Sequence, residues 1–384
     1  MLRLIHGLQP DHELAVACPT DGPLAGQIEA LGLMRYVLPT VQLSLKLSGT
    51  QTGRGVMQML ASGTALSRAA RQHRADVIHA NTIRTGLIAA LAPGRPPVVV
   101  RAHEHPPASN VGRAVRSVIV HSSAAVAAVS DYTASHFNEG LSRRAAVRVY
   151  NSVDHERLNP DRTVPARLRE ELSISPDAAL IGHVAQITPW KNQLTSIRAL
   201  AMLRARGVDA HLVIVGKAAF VGKGVRYDNL AYQQELETVA ADLGVTAEVH
   251  FVGHRPDVPE VLAACGISLL PSWEEPFGLA TVESMAMGVP PIVSAVGAGP
   301  ELVEDGVCGR VLPPLQPEAW ARAAGELLAD RSALDWMGRR CREFAAHFQD
   351  EVQAREMVAV LDHAVTRVGS APWVRSGRVR PIPA

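Results

Sequence analysis

Short apolar runs alternate along most of the chain with longer stretches of helical period. The runs predict strands over 14–18, 76–80, 97–102, 124–130, 180–187, 210–215, 247–252, 267–271 and 291–295. Helical patterns lie between them, for example over 192–206, 229–243, 279–288 and 317–329. Near-continuous apolar strands that alternate with helices are typical of parallel sheets covered on both faces. The pattern therefore predicts an α/β fold.

A polar, proline-containing stretch within 150–180 divides this pattern into two blocks. It predicts a hinge between two Rossmann-like, doubly wound domains, over 1–155 and 165–345. The opening MLRLIHGL has the spacing of the last turns of a helix, whereas a doubly wound domain normally begins with a central strand. We therefore expect an N-terminal domain that lacks its first strand. The tail over 370–384 is predicted to be disordered.

Composition excludes several classes of protein. The chain has 384 residues, 47% of them apolar, which suits two domains with sizeable cores. No apolar run approaches the roughly 18–20 residues that span a bilayer. No signal peptide is evident at the start, so we expect a soluble, cytoplasmic protein. Four scattered cysteines, without a CxxC pair, predict reduced thiols rather than zinc ligands or disulfides.

Charge is unevenly distributed although the net charge is only +1. Residues 1–150 carry 15 Lys/Arg and 8 Asp/Glu, and the remainder carries 23 and 29. The overall balance argues against a nucleic-acid partner. The basic half could face an acidic substrate or a membrane surface. The ratio of 34 Arg to 4 Lys indicates a high-GC genome, which is an equally simple source of the basic excess.

Candidate chemistry is concentrated in PSWEEPFGLATVESMAMG, over 271–288, directly after a predicted strand. Ligands of open α/β sheets bind beyond the carboxyl ends of strands. A helix that begins near Gly278 or Leu279 would offer free amides and a positive dipole to phosphate. Glu275 and Glu283 suit a sugar nucleotide, one for sugar hydroxyls and one for the ribose diol. An acidic helix cap and a solvated helical glutamate explain the spacing alone equally well.

A second candidate segment is GHVAQITPWKNQ, over 182–193, where a strand again gives way to a proline turn and a helix. Lys191 falls at the predicted helix start, where its ammonium group could meet a diphosphate. The alternative is a solvated lysine in a first helical turn. The scarcity of lysine in this chain favours the diphosphate interpretation.

Together these segments resemble the retaining glycosyltransferases of family 4, the group 1 enzymes of GT-B fold. The resemblance covers nearly the whole chain, through HANTIRTGLIAALA (79–92), VSDYTASHF (129–137), YNSVD (150–154) and the donor half from 253 to 314. It implies two Rossmann-like domains that face each other across a cleft. It also implies that a last helix, over 346–368, packs back on the N-terminal domain.

The resemblance assigns roles to individual residues. Glu275 would contact the donor sugar hydroxyls and Glu283 the ribose. Lys191 would bind the diphosphate, assisted by the amides of Gly278 and Leu279. The donor-binding residues would further include Phe277 within the motif and Arg255 near the base.

The chain also departs from the family pattern. The Gly-Arg pair that precedes the lysine is Ala185-Gln186 here, so one phosphate-neutralising cation is replaced by Gln186. Gly266 stands where an aspartate is common, and Ser152 replaces a glycine. The family's opening strand and Gly-rich loop are not matched, which leaves the activity of this chain in question.

Histidines follow two of the predicted N-terminal strands. The family often places a histidine near the sugar at the position of RAHEH (101–105), and His103 is the better match. It would donate to a sugar hydroxyl or position the acceptor, and with Glu275 it forms the predicted catalytic set. His105 is the alternative. His79 is more simply a packing or capping residue.

The resulting functional prediction is transfer of a sugar from a UDP- or GDP-linked donor, with retention of configuration. The acceptor would be a hydroxyl of a glycan, a lipid or a small molecule. Carboxylates are not clustered for Mg²⁺, so we expect a metal-independent reaction without a cofactor. Peripheral contact with the inner membrane face and a role in cell-envelope polysaccharide are further expectations. A GT-B sugar-nucleotide epimerase and a truncated, inactive nucleotide-binding remnant remain alternatives.

Overall fold

The computed structural model describes residues 1–9, 11–19, 22–41, 49–141, 145–165, 167–219, 222 and 226–366. The chain folds into two compact units. Unit 1 comprises Met1–Val149 and Arg355–Ala384, and unit 2 comprises Tyr150–Ala354. The tail over 370–384, predicted to be disordered, lies outside the described residues.

Strands and helices alternate in both units. The strands are β1 (Ala15–Cys18), β2 (Met34–Val37), β3 (Ile78–Ala80), β4 (Val98–Ala102), β5 (Ala125–Ala128), β6 (Ala146–Arg148), β7 (Ala179–Val184), β8 (Ala210–Val215), β9 (Val249–Gly253), β10 (Ile267–Leu270), β11 (Pro291–Ser294) and β12 (Arg310–Leu312). The helices are α1 (Leu2–Leu8), α2 (Pro23–Ala30), α3 (Gly49–His73), α4 (Ile83–Ala90), α5 (Asn110–Ser122), α6 (Asp131–Asn138), α7 (Leu168–Glu171), α8 (Gln193–Ala205), α9 (Asn229–Asp242), α10 (Val258–Ala264), α11 (Leu279–Ala286), α12 (Gly299–Leu302), α13 (Pro317–Ala329), α14 (Arg331–Ala345) and α15 (Asp350–Thr366).

Unit 2 contains one parallel sheet with the strand order β12-β11-β10-β7-β8-β9. Its central strands are almost entirely apolar and buried, since helices cover both faces of the sheet. This order is that of a doubly wound fold, in which the chain runs outward from β7 in one direction and then from β10 in the other. The predicted α/β class with doubly wound parallel sheets is confirmed.

Unit 1 contains two parallel sheets among its described strands, one of β1 and β2 and one in the order β3-β4-β5-β6. Alternate residues of β4 enter different hydrophobic clusters, because successive side chains of a strand point to opposite faces. Val98 and Val100 pack in a cluster with α4, α5 and α6, and Val99 packs in a cluster with α1 and α15. Both faces of this sheet are therefore covered. The expected absence of a first strand stays a prediction.

Candidate active site

Two loops of unit 2 meet where its strand order reverses. Strands β7 and β10 are paired side by side, with Ile181 opposite Ile267 and Gly182 opposite Ser268. The chain leaves β7 toward β8 on one side and leaves β10 toward β11 on the other. The connections beyond their carboxyl ends therefore diverge and leave a crevice, which is where open α/β sheets bind ligands. Both candidate segments from the sequence lie in these two loops.

Lys191 and Glu275 form an ion pair across this point. Lys191 ends a short 3-10 helix over Pro189–Lys191, in the loop that follows β7. Its Nζ lies 2.5 Å from Glu275 Oε2, and both side chains are only 16% exposed. Ser272 Oγ donates to the same carboxylate oxygen at 3.0 Å. The cation also lies 4.1 Å from the centre of the Trp190 ring. The site thus holds one cation and one carboxylate in fixed proximity.

Helix α11 begins directly behind this pair. Gly278 is its N-cap and has φ 100°, a left-handed conformation that favours glycine. A Cβ there would lie 3.1 Å from Thr281 Oγ1 and 3.3 Å from Glu275 Cγ. Thr281 N and Val282 N donate to the Gly278 carbonyl at 3.0 and 3.3 Å, so the amides that α11 can offer to an anion are those of Leu279 and Ala280. Glu283 lies further along α11 and is half-buried.

A third loop, after β11, supports the backbone of Glu275. The amide of Ala298 donates to the Glu275 carbonyl at 2.8 Å. Gly297, with φ 70°, approaches so closely that a Cβ would lie 2.4 Å from that carbonyl oxygen. Our sequence reasoning missed this loop. The available signal was the glycine at every second position, Gly297 and Gly299, directly after a predicted strand.

Asn192 joins the loops after β7 and β10, and it too was missed from the sequence. Its amide donates to the Pro271 carbonyl at 3.0 Å, and Trp273 N donates to the Trp190 carbonyl at 2.8 Å. The loops that carry Lys191 and Glu275 are thus bonded together by main chain and side chain.

Gln186 lies in the same loop as Lys191 and faces the segment after β8. Its Nε2 donates to the Ala219 carbonyl at 3.3 Å, and its own carbonyl accepts from Gln193 Nε2 at 2.8 Å. Gly216, directly after β8, lets the two segments come this close, because a Cβ at position 216 would lie 1.9 Å from the Ala185 carbonyl oxygen. The predicted contact of Gln186 with a diphosphate stays a prediction.

Arg255 follows β9, and its guanidinium group is occupied by carboxylates of unit 2. It donates twice to Asp257, at 2.9 and 2.7 Å, and once to Glu171 at 2.9 Å. Hydrogen bonds to Asp257 and Glu171 raise the pKa of Arg255 above its usual range. A contact of Arg255 with the donor base remains a prediction, and these bonds favour a backbone contact over a side-chain one.

Phe277 is part of an aromatic cluster within unit 2. It is 4% exposed, and its ring centre lies 5.9 Å from that of Tyr150 and 6.0 Å from that of Phe348. This packing anchors the turn between Glu275 and α11. Because the ring is buried, the main chain of Phe277 is the part that could contact a donor. The donor-binding role of Phe277 stays a prediction.

The N-terminal histidines lie in unit 1. His103 follows β4 and keeps contact with solvent, while partial desolvation and the Arg101 guanidinium lower its pKa to about 4. His105 stacks on His136 with ring centres 3.9 Å apart, and its Nε2 lies 3.5 Å from the Tyr132 hydroxyl. The predicted catalytic role of His103 stays a prediction, with His105 as the alternative.

His79 lies in β3 and is half-buried. Burial, followed by the Arg101 guanidinium, lowers its pKa to about 3. The imidazole is therefore neutral throughout the physiological pH range. This environment is compatible with the packing role expected from the sequence.

Within the residues that the structure describes, no three His, Cys, Asp or Glu side chains gather in a way that could hold a metal ion. No described helix combines the length and apolarity needed to cross a bilayer. The four cysteines are buried and free.

Both units are built on parallel sheets, and unit 2 carries a cation and a carboxylate where its strand order reverses, as in α/β proteins of the GT-B class. Residues 166–344 match the family model "Glycosyl transferases group 1", and residues 1–157 match "Glycosyltransferase Family 4". The chain belongs to the family 4, group 1 glycosyltransferases.

Similar proteins include both curated sequences and solved structures. The chain is 30% identical to a D-inositol 3-phosphate glycosyltransferase of Corynebacterium kroppenstedtii, over 56% of this chain and 46% of that protein. It is 32% identical to a GDP-mannose-dependent alpha-(1-6)-phosphatidylinositol monomannoside mannosyltransferase of Mycolicibacterium smegmatis, over 56% of each chain. The chain thus spans about half the length of the curated relatives it matches. Anabaena HepE, solved in complex with UDP-glucose, aligns with a TM-score of 0.76 at 25% identity, over 94% of this chain and 95% of that one.

Proposed function

We propose that this protein transfers a sugar from a nucleoside diphosphate sugar to an acceptor hydroxyl, with retention of anomeric configuration. The Lys191–Glu275 pair at the reversal of strand order in unit 2 carries the proposal. A cation beside the free amides of a helix suits a diphosphate, and the adjacent carboxylate suits sugar hydroxyls.

The reaction places negative charge on the leaving diphosphate, and the protein must stabilise that charge. When the bond between the anomeric carbon and the diphosphate breaks, the electron pair stays on the phosphate oxygen. Lys191 and the amino end of α11 would stabilise that developing charge. Glu275 would orient the donor sugar by accepting hydrogen bonds from its hydroxyls, and Glu283 would accept those of the ribose. These groups meet the charge without a divalent metal, so we propose metal-independent transfer.

The relatives indicate which donors to test. HepE was solved with UDP-glucose, and the mycobacterial relative is named as GDP-mannose-dependent. The named acceptors of the relatives are an inositol phosphate and a phosphatidylinositol monomannoside. We therefore propose a UDP- or GDP-linked donor and a hydroxyl acceptor of a glycan, a lipid or a small molecule.

Turnover of these donors is the direct test. UDP-glucose and GDP-mannose are incubated with the full chain, with and without inositol phosphate or phosphatidylinositol vesicles, and with EDTA. We expect acceptor-dependent release of UDP or GDP that EDTA does not abolish, and an anomeric NMR signal that matches the donor. Glu275→Gln should remove turnover. The neighbouring Glu274→Gln, whose carboxylate pairs with the exposed Arg226, is the matched control.

Four results would overturn parts of this proposal. Isomerisation of the donor sugar without an acceptor would indicate an epimerase. Strict dependence on Mg²⁺ or Mn²⁺ would refute metal independence, and an inverted product would refute retention. Binding of nucleotide without turnover of either donor would favour the inactive nucleotide-binding alternative.

Peripheral membrane contact through the basic N-terminal half is a further part of the proposal. The lipid named for the mycobacterial relative supports it, as does the excess of Lys/Arg over 1–150. Sedimentation with vesicles tests it: we expect binding to anionic vesicles that falls as salt is raised. Equal binding to neutral vesicles, or none to either, would rule out this electrostatic contact.

A further inference from the structure

The side-chain amide of Asn192 joins three loops of unit 2. Asn192 is 2% exposed and directly follows Lys191. Its Nδ2 lies 2.9 Å from Thr195 Oγ1, 3.0 Å from the Pro271 carbonyl and 3.0 Å from the Pro314 carbonyl. Pro271 opens the loop that follows β10, and Pro314 lies in the loop that follows β12. One amide thus reaches its own loop and two others.

The backbone of Asn192 is left-handed, with φ 55° and ψ 46°. Asparagine tolerates this conformation better than most residues, but glycine adopts it with less strain. The backbone conformation alone would therefore suit a glycine at position 192 at least as well as an asparagine. The buried hydrogen bonds are what the asparagine side chain adds.

These bonds fix the separation between two charged groups. The Lys191 ammonium and the Glu275 carboxylate belong to loops that only meet beyond the ends of β7 and β10. The bond from Asn192 to Pro271 ties the base of one loop to the base of the other, one residue from Lys191. Without it, the carbonyl of Pro271 would lose a buried donor, and the main-chain bond from Trp273 to Trp190 would hold the two loops together with less support.

We propose that Asn192 is a positioning residue, which holds Lys191 against Glu275 and thereby sets the geometry of the diphosphate subsite. The diphosphate part rests on the function proposed above. The positioning of Lys191 does not, because it concerns contacts within the free protein.

Three variants separate side-chain bonding from backbone conformation. Asn192→Gly keeps the left-handed backbone and removes the amide. Asn192→Asp keeps the size of the side chain but replaces the donating NH₂ with an acceptor, which faces two carbonyl oxygens. Ser173→Gly is the matched control, since Ser173 is an exposed residue of unit 2 with φ 56°.

Chemical reactivity of Lys191 is the first readout. The chain has only four lysines, so mass spectrometry can follow each amine during brief acylation, with Lys217 as an internal reference. Lys191 is 16% exposed and ion-paired in the structure. We expect its relative acylation rate to rise about threefold or more in Asn192→Gly and Asn192→Asp, and to stay constant in Ser173→Gly. Unchanged rates in both Asn192 variants would overturn the proposal.

Ligand affinity is the second readout, and it distinguishes positioning from general loosening. We expect Asn192→Gly to bind UDP or GDP about tenfold more weakly, while the affinity for the plain nucleoside stays within twofold. When Lys191 is already replaced by alanine, Asn192→Gly should change the affinity for UDP or GDP by less than twofold. The effects of two residues that act through the same contact do not add. Equal weakening for nucleoside and diphosphate would mean that Asn192 is only structural.

The two readouts also separate this inference from the proposed function. If the wild-type chain binds no nucleoside diphosphate, the proposed function fails, and the acylation rates still decide whether Asn192 positions Lys191. If Asn192→Asp does not fold, Thr195→Val replaces it. That variant removes the hydroxyl that accepts from the amide and donates to the Pro314 carbonyl, and it should raise Lys191 acylation by a smaller factor. No rise in either Asn192→Gly or Thr195→Val would overturn the proposal.

Discussion

Individual residues of the site lie far apart in sequence and meet only in the fold. Lys191 and Glu275 are 84 positions apart, yet their charged groups are 2.5 Å from each other. The pairing follows from the strand order, which places β7 beside β10. Each charge is thus held by a separate loop, and the crevice between the loops is the proposed place of the diphosphate.

Glu283 offers a test that depends on a single hydroxyl of the ligand. If its carboxylate accepts hydrogen bonds from the ribose diol, Glu283→Ala should weaken binding of UDP or GDP by about tenfold or more. The 2′-deoxy analogue already lacks one of these bonds, so its affinity should fall less. Glu326→Ala, an exposed glutamate on α13, is the control. Parallel losses for both ligands, measured by calorimetry, would refute the ribose role.

The sequence singles out Lys191, Glu275 and Glu283 as candidate site residues but not the residues that hold their loops. The charged residues follow predicted strands and therefore stand out as ligands. Asn192 and Gly297 do not, because their importance lies in long-range hydrogen bonds and close backbone approach. The bonding of Arg255 to Glu171 also depends on contacts that no local pattern encodes.

At the level of elements, the predicted strands were those with buried, apolar runs. The sequence interpretation did not include β2, β6 or β12. Strand β2 is exposed at both ends, and β6 and β12 have only three residues each. Such short or exposed strands are defined by pairing with a neighbour, for example Ile292 of β11 with Arg310 of β12. The strand order itself also depends on these tertiary contacts.

The loop after β11 can be tested through Gly297. Gly297→Ala would place a Cβ 2.4 Å from the Glu275 carbonyl oxygen, so the loop that carries Glu275 must move. We expect a loss of about 1–3 kcal/mol in the free energy of unfolding and a marked fall in sugar transfer.

Gly306→Ala is the matched control for this change. Gly306 has φ 78°, but a Cβ there meets nothing within 4 Å. It therefore introduces a similar backbone strain of about 1 kcal/mol without a steric clash. If both variants lose stability and transfer equally, the loop after β11 does not support Glu275.

At the scale of the whole molecule, a buried neutral histidine makes the free energy of unfolding depend on pH. Burial, with a smaller effect of Lys191, lowers the pKa of His183 to about 3. The unfolded chain takes up this proton below about pH 6.5, while the folded chain does so only near pH 3. The contribution of neutral His183 to the free energy of unfolding is therefore fully present above about pH 6.5, and it is lost as the pH drops toward 3.

Unfolding at two pH values measures this effect. Tryptophan fluorescence suits it, because four of the five tryptophans lie in unit 2. Between pH 7 and pH 5 we expect His183 to account for a loss on the order of 2 kcal/mol. His183→Gln, which can still bond Ser196, should show a smaller loss, whereas the exposed His254→Gln should behave like the wild type. An equal loss in all three proteins would exclude His183 as the source.

The central claim is that unit 2 binds a nucleoside diphosphate through Lys191, and calorimetric titration tests it most directly. The full chain, Lys191→Ala and Arg331→Ala are titrated with UDP and with GDP. Arg331 is a surface cation on α14 with 86% of its side chain exposed, so its variant controls for the lost charge. A charge-assisted phosphate contact contributes about 1.5–3 kcal/mol. We therefore expect Lys191→Ala to weaken binding of at least one nucleotide about tenfold to a hundredfold, with Arg331→Ala unchanged. An affinity of Lys191→Ala equal to that of the wild type would contradict the account.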